Sequence, residues 1–106
     1  MHVERIKFER TGGFAGMHIA TDIQPDDLSE EQAHTLAELL DEVDFPTLPE
    51  QLMSDSSMPD QFTYTITVES PDWKHTVVTS DESASEKMQE LLHMLNRIAR
   101  KKLRKQ

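Results

Sequence analysis

The chain has 106 residues, the size of one domain with one core. It has no cysteine, which excludes a disulfide framework, thiol catalysis and cysteine-ligated zinc. Its net charge is −9, and the charge is unevenly placed: all 20 acidic residues fall within residues 1–96 against five basic ones, whereas the last ten residues carry six Lys or Arg. An acidic body repels nucleic acid over most of its surface. The basic end reads as cations that offset the dipole of a terminal helix and keep it soluble.

The N-terminus enters a polar alternating segment with no apolar signal region, and no apolar run approaches the roughly 18–20 residues that span a bilayer. The expected compartment is therefore the cytoplasm, with no membrane partner, although a signal-independent export route would leave no trace in the sequence.

Taken in order, residues 5–10 alternate. Ile6, Phe8 and Arg10 share one face, and Lys7 and Glu9 the other. The run stops at Gly12-Gly13, and an apolar stretch from Phe14 to Ala20 follows. This is the pattern of a β-hairpin whose turn needs positive φ, which glycine supplies at no steric cost. The second strand is predicted over residues 14–23, with Met17, Ile19 and Thr21 on one face. Gln24-Pro25-Asp26-Asp27 ends it, because proline cannot donate to the ladder.

Ser29-Glu30-Glu31-Gln32 reads as a capping box. Ala33, Leu36, Ala37, Leu40 and Val43 then recur at helical spacing, which predicts an amphipathic helix over 29–43. The prolines of Asp44-Phe45-Pro46-Thr47-Leu48-Pro49 stop it. Residues 50–61 are polar and read as a mobile surface loop, with Leu48 and Leu52 pinning its start.

Phe62-Thr63-Tyr64-Thr65-Ile66-Thr67-Val68 is the cleanest strand, with four apolar residues on one face and three threonines on the other. Ser70-Pro71-Asp72 turns it into a fourth strand over 73–79. Serines 80, 83 and 85 offer helix caps. Met88, Leu91, Leu92, Leu95, Ile98 and Ala99 then form the apolar stripe of a long second helix. The order ββα–ββα predicts an α+β fold, a four-stranded antiparallel sheet with both helices on one face. The whole chain, 1–106, reads as one domain with a basic tail over about 97–106.

The chain carries no catalytic constellation. Its five histidines lie on different elements and none has metal-ligand spacing, so no metal or other cofactor is expected. There is no Gly-x-Ser-x-Gly elbow. Gly12-Gly13-Phe14-Ala15-Gly16 lacks the lysine and the following helix of a phosphate loop. The chain is not expected to be an enzyme.

One segment, Ile6-Lys7-Phe8-Glu9-Arg10-Thr11-Gly12-Gly13-Phe14-Ala15-Gly16, resembles the opening of the emfourin family. The likeness continues in order through Leu39-Leu40-Asp41-Glu42-Val43-Asp44-Phe45 with Leu48-Pro49, and through Asp60-Gln61-Phe62-Thr63-Tyr64. His75-Thr76-Val77 with Ser80-Asp81, and Leu91-Leu92 with Leu95 and Ala99-Arg100, extend it. The chain departs from the family in the loop Gln51–Pro59 and in the basic tail after Arg100.

The resemblance implies a small bacterial protein inhibitor of thermolysin-like metalloproteases of the protealysin type. The partner it implies is a protein and not nucleic acid. The hairpin end, Arg10, Thr11, Gly12, Gly13, Phe14 and Ala15, is the expected contact. A hairpin tip held by two strands is preorganised for a concave cleft, which lowers the ordering cost of binding. At the level of the family, a bulky apolar Phe14 suits a thermolysin-like cleft. The alternative for Phe14 is an inward, structural role. The alternative for the whole chain is an interaction module or adaptor that uses the same hairpin and sheet without inhibiting. The target and the oligomeric state have no signature in the sequence.

Overall fold

A computed structural model of the chain describes residues 3–12, 17–52, 62–80 and 85–104. Four strands, β1 (Arg5–Gly12), β2 (Met17–Ile23), β3 (Phe62–Glu69) and β4 (Lys74–Ser80), form one antiparallel sheet. Two helices, α1 (Glu30–Glu42) and α2 (Glu86–Arg104), complete the α+β architecture. The sheet order is β2-β1-β3-β4, so each sequence-local hairpin forms one half and the antiparallel β1–β3 pair joins them.

Alternation sets the two faces of this sheet. Ile6 and Phe8 of β1, Ile23 of β2, Tyr64, Ile66 and Val68 of β3 and Val77 of β4 all point to the core. In the register Phe8 sits between Thr21 and Ile66. Its ring stacks on that of Tyr64 at 6.0 Å. The other face carries Lys7 and Glu9, both exposed, and the half-buried Thr63, Thr65 and Thr67. There Thr67 and Thr76 share a hydroxyl hydrogen bond of 2.9 Å across the β3–β4 pair.

Both helices cover the apolar face and run antiparallel to each other. At one end Lys87 of α2 meets Glu42 of α1 at 3.0 Å. At the other, Lys102 reaches Asp27, just before α1, at 2.9 Å. Met88, Leu91, Leu92, Leu95, Ile98 and Ala99 of α2 are all buried, which bears out the predicted stripe. Fully burying one such leucine contributes about 1.5–3 kcal/mol, so α2 is the main lid on the sheet.

The Ser29 box is present, and of the three serines offered as caps for the second helix Ser85 serves, whereas Ser80 ends β4 and Ser83 lies outside the described residues. Ser29 Oγ accepts from the Gln32 amide at 3.1 Å, and Gln32 Oε1 accepts from the Ser29 amide at 3.0 Å. Ser85 Oγ accepts from the Met88 amide at 3.2 Å at the start of α2. The turn between β3 and β4 closes where Ser70 N donates to Trp73 O at 2.8 Å.

Four details differ from the sequence reading. In α1 the buried residues are Leu36, Leu39 and Leu40, and Ala33 is exposed. The stripe is turned because α2 is a second neighbour, and Leu39 shares a groove with Met94 and Ile98. Secondly, Asp44 and Phe45 do more than stop the helix. Asp44 is left-handed at φ 54°, and Phe45–Thr47 forms a 3-10 turn. This redirection buries Phe45 completely, edge-on to His75 at 5.7 Å. The reward for burying a phenylalanine outweighs the proline's bias against a helical residue before it.

Thirdly, the start of the expected loop is part of the sheet. Gln51 bridges to Val78 in parallel, with Val78 N donating to Glu50 O and Leu52 N to Val78 O. The segment covers the outer edge of β4, as edge strands require. The remainder of that loop, 53–61, lies outside the described residues. Lastly, β4 starts at Lys74 rather than at 73, while residues 14–16 of the expected second strand lie outside the described residues.

Candidate functional site

The far end of β1 is where sequence reasoning placed the contact surface. Gly12 has φ 107°, which a residue with a Cβ adopts only at a cost. Strand alternation sends Arg10 and Thr11 to opposite faces. Thr11 lies on the open face beside His18 and Thr63. Arg10 lies on the helix side between Ile19 and Tyr64. Gly12 is flanked by Met17 and Phe62, so β1 is paired on both sides to its last residue. Gly13, Phe14 and Ala15 lie outside the described residues.

Arg10 is held in place by two contacts. Its guanidinium donates to Asn96 Oδ1 of α2 at 3.0 Å. The guanidinium carbon also sits 4.7 Å over the centre of the Phe62 ring, a cation–π contact. Its Nε is shielded from solvent and has no acceptor. Arg10 opens onto a cleft of about 640 Å³ between β3 and α2, lined also by Phe62, Tyr64, Asn96, Arg97 and Arg100. Among the described residues no Asp or Glu lines it.

Three other cations of this acidic chain, Arg5, Lys87 and Lys102, are paired. Arg5 Nε donates to the Asp22 carboxylate at 2.7 Å and lies 4.0 Å from Glu69. Arg5 Nη2 also bonds that carboxylate. The Arg5 hydrogen bond holds the Asp22 carboxyl below its ordinary value, and Asp22 in turn raises Arg5. Lys87 is raised by its hydrogen bond to Glu42. Lys102 donates to Asp27 and to the carbonyl of Asp22, so the basic end of α2 is tied back in part onto the start of α1.

Among the described residues no group of three His, Cys, Asp or Glu is placed to hold a metal ion. His75 Nε2 bonds the Leu48 carbonyl at 2.6 Å, and His34 pairs with Glu38 at 2.9 Å. Those contacts occupy the two imidazoles with structural partners. Among the described residues no helix is long and apolar enough to cross a membrane.

A protein-family model described as emfourin matches residues 8–96. The chain belongs to the emfourin family. No match was found among curated proteins or among solved structures. The emfourin match takes in Arg10, the end of the hairpin and Asn96, the partner of Arg10. Arg97 and Arg100 follow it.

Sequence reasoning named Arg10 but missed its partners on α2. The signal was available in the phase of that helix. Gln89, His93, Asn96, Arg97 and Arg100 recur at three- and four-residue spacing alongside the buried stripe, and so line one flank of it. What the sequence lacked was the sheet order, which sets β3 and α2 against the end of β1.

Proposed function

We propose that this emfourin-family chain inhibits a thermolysin-like, protealysin-type zinc metalloprotease by blocking its active-site cleft. The family match over residues 8–96 carries this reading. The hairpin end Arg10, Thr11, Gly12, Gly13, Phe14 and Ala15 is the contact surface in this proposal. Its base supports the role physically, because β1 is laddered to β2 and β3 up to Gly12. An element fixed in that way loses little conformational freedom when it enters a cleft. The chain performs no bond chemistry of its own in this reading, and its partner is a protein met in the cytoplasm.

The experiment is a titration of thermolysin-like enzymes and of a serine protease, each with a small peptide substrate. The expected result is near-equimolar loss of metalloprotease activity with the serine protease untouched. Undiminished activity of several thermolysin-like enzymes would replace the inhibitor by an interaction module that uses the same surface.

A further inference from the structure

The cleft at Arg10 is lined by three arginines. Residues 1–96 carry 20 acidic side chains, yet among the described residues no Asp or Glu lines this cleft, and Arg10, Arg97 and Arg100 all do. Among the described residues none of these three arginines forms an ion pair, whereas Arg5, Lys87 and Lys102 each do. Three guanidinium groups around one concavity repel one another, and an anion between them relieves that repulsion.

The cleft is also built rather than incidental. The Arg10 guanidinium carbon sits over the Phe62 ring, and Asn96 takes one of its five N–H donors. A stacked arginine presents its remaining donors as a fork that matches a carboxylate. Phe62 and Tyr64 supply an apolar floor beside it.

We infer that this cleft is a recognition site for a carboxylate carried on a polypeptide, an Asp or Glu side chain flanked by an apolar residue on a partner protein. The carboxylate seats on Arg10, with Arg97 and Arg100 at its sides, and the apolar neighbour lies on Phe62 and Tyr64. A single carboxylate suits the site better than a nucleic-acid strand. A polyanion long enough to leave the cleft meets an acidic body, whereas one side chain does not. The cleft shares Arg10 with the proposed protease contact, but the inference concerns what the cleft binds, and its test uses peptides without a protease, so it fails or holds separately from inhibition.

The test uses the full isotope-labelled chain and two neutral-capped probes, acetyl-Leu-Glu-Phe-amide and its Gln counterpart, followed by amide chemical shifts. The Glu peptide is expected to move the Arg10, His93 and Asn96 resonances and to bind about tenfold more tightly than the Gln peptide, the value of one charged hydrogen bond. The exposed pair Arg97→Gln and Arg100→Gln should remove most of that preference without unfolding the chain, and about 1 M salt should weaken it in the wild type. Arg10→Lys keeps the charge and loses the fork, so it should also reduce the preference. Equal binding of the two peptides would overturn the inference, as would a Glu preference unchanged in the Arg97/Arg100 variant. A short oligothymidylate that moved the same resonances at lower concentration would also overturn it, in favour of phosphate.

Discussion

Arg5 and Arg10 lie in one strand, five positions apart, and have opposite circumstances. Their parity along β1 puts Arg5 on the open face and Arg10 under α2. Arg5 donates to Asp22 and lies near Glu69, so fixed carboxylates of the chain itself neutralise it. Among the described residues Arg10 has no carboxylate partner, only an amide oxygen and an aromatic face. The first arrangement ties the outer strand to the centre of the sheet. The second orients a cation without neutralising it, which leaves it available to a partner. An arginine's role is thus set by what its neighbours take up, and strand parity decides the face from which those neighbours come.

Arg10 meets Asn96 only while α2 is fixed to the sheet, and the largest expected effect tests that anchoring. Leu95 is fully buried on the sheet side of α2, one position before Asn96. Leu95→Ala should lower the unfolding free energy by about 2–5 kcal/mol in chemical denaturation. A loss well under 1 kcal/mol would mean that α2 is not anchored there and that Arg10 has no wall to lean on.

A smaller effect distinguishes orientation from neutralisation at Arg10. Arg10→Gln removes the contact with Phe62 and the hydrogen bond to Asn96, together worth about 1–2 kcal/mol. The cost should be independent of acid, because among the described residues no carboxylate pairs with Arg10. A much larger penalty would make Arg10 a core residue and weaken the case for a binding role.

The smallest effect belongs to Arg5 and carries a pH signature. The folded chain holds the Asp22 carboxyl below its ordinary value of 3.8. A depressed carboxylate stabilises fully above the unfolded value and loses that contribution as pH falls through it toward the folded value. Asp22→Asn should therefore be modestly less stable than the wild type at about pH 7, and the two should converge at about pH 2. Their denaturation midpoints across that range decide it. A gap that stays constant would show that the ion pair is not what joins β1 to β2 at that end.

Much of this fold was legible in the chain, and particular residues show where legibility ended. The strict alternation of Phe62 to Val68, the Ser29–Gln32 box and the stripe from Met88 to Ala99 are local signals, and each element formed where it was expected. Phe45 was read only as the residue before a proline, because its burial depends on a left-handed Asp44 and on His75, thirty positions away. Gln51 looked like the start of a polar loop, because a single parallel bridge to Val78 leaves no periodic trace. At the candidate site Arg10 was singled out for its nearness to the glycines. Its partners Asn96 and Phe62 are brought to it by sheet order and by the packing of α2, which no local pattern encodes.

The central claim is that the end of β1 carrying Arg10, and not the end carrying Arg5, is where a partner docks. Amide shift mapping of the labelled chain, free and bound to a thermolysin-like protease, tests this most directly. The account predicts that the affected residues are Arg10 to Gly12 and the His93 to Arg100 flank of α2, with the Ser70–Trp73 turn and the Arg5–Asp22 pair unmoved. Changes confined to that turn and that pair, or an unchanged spectrum at saturating protease, would contradict it.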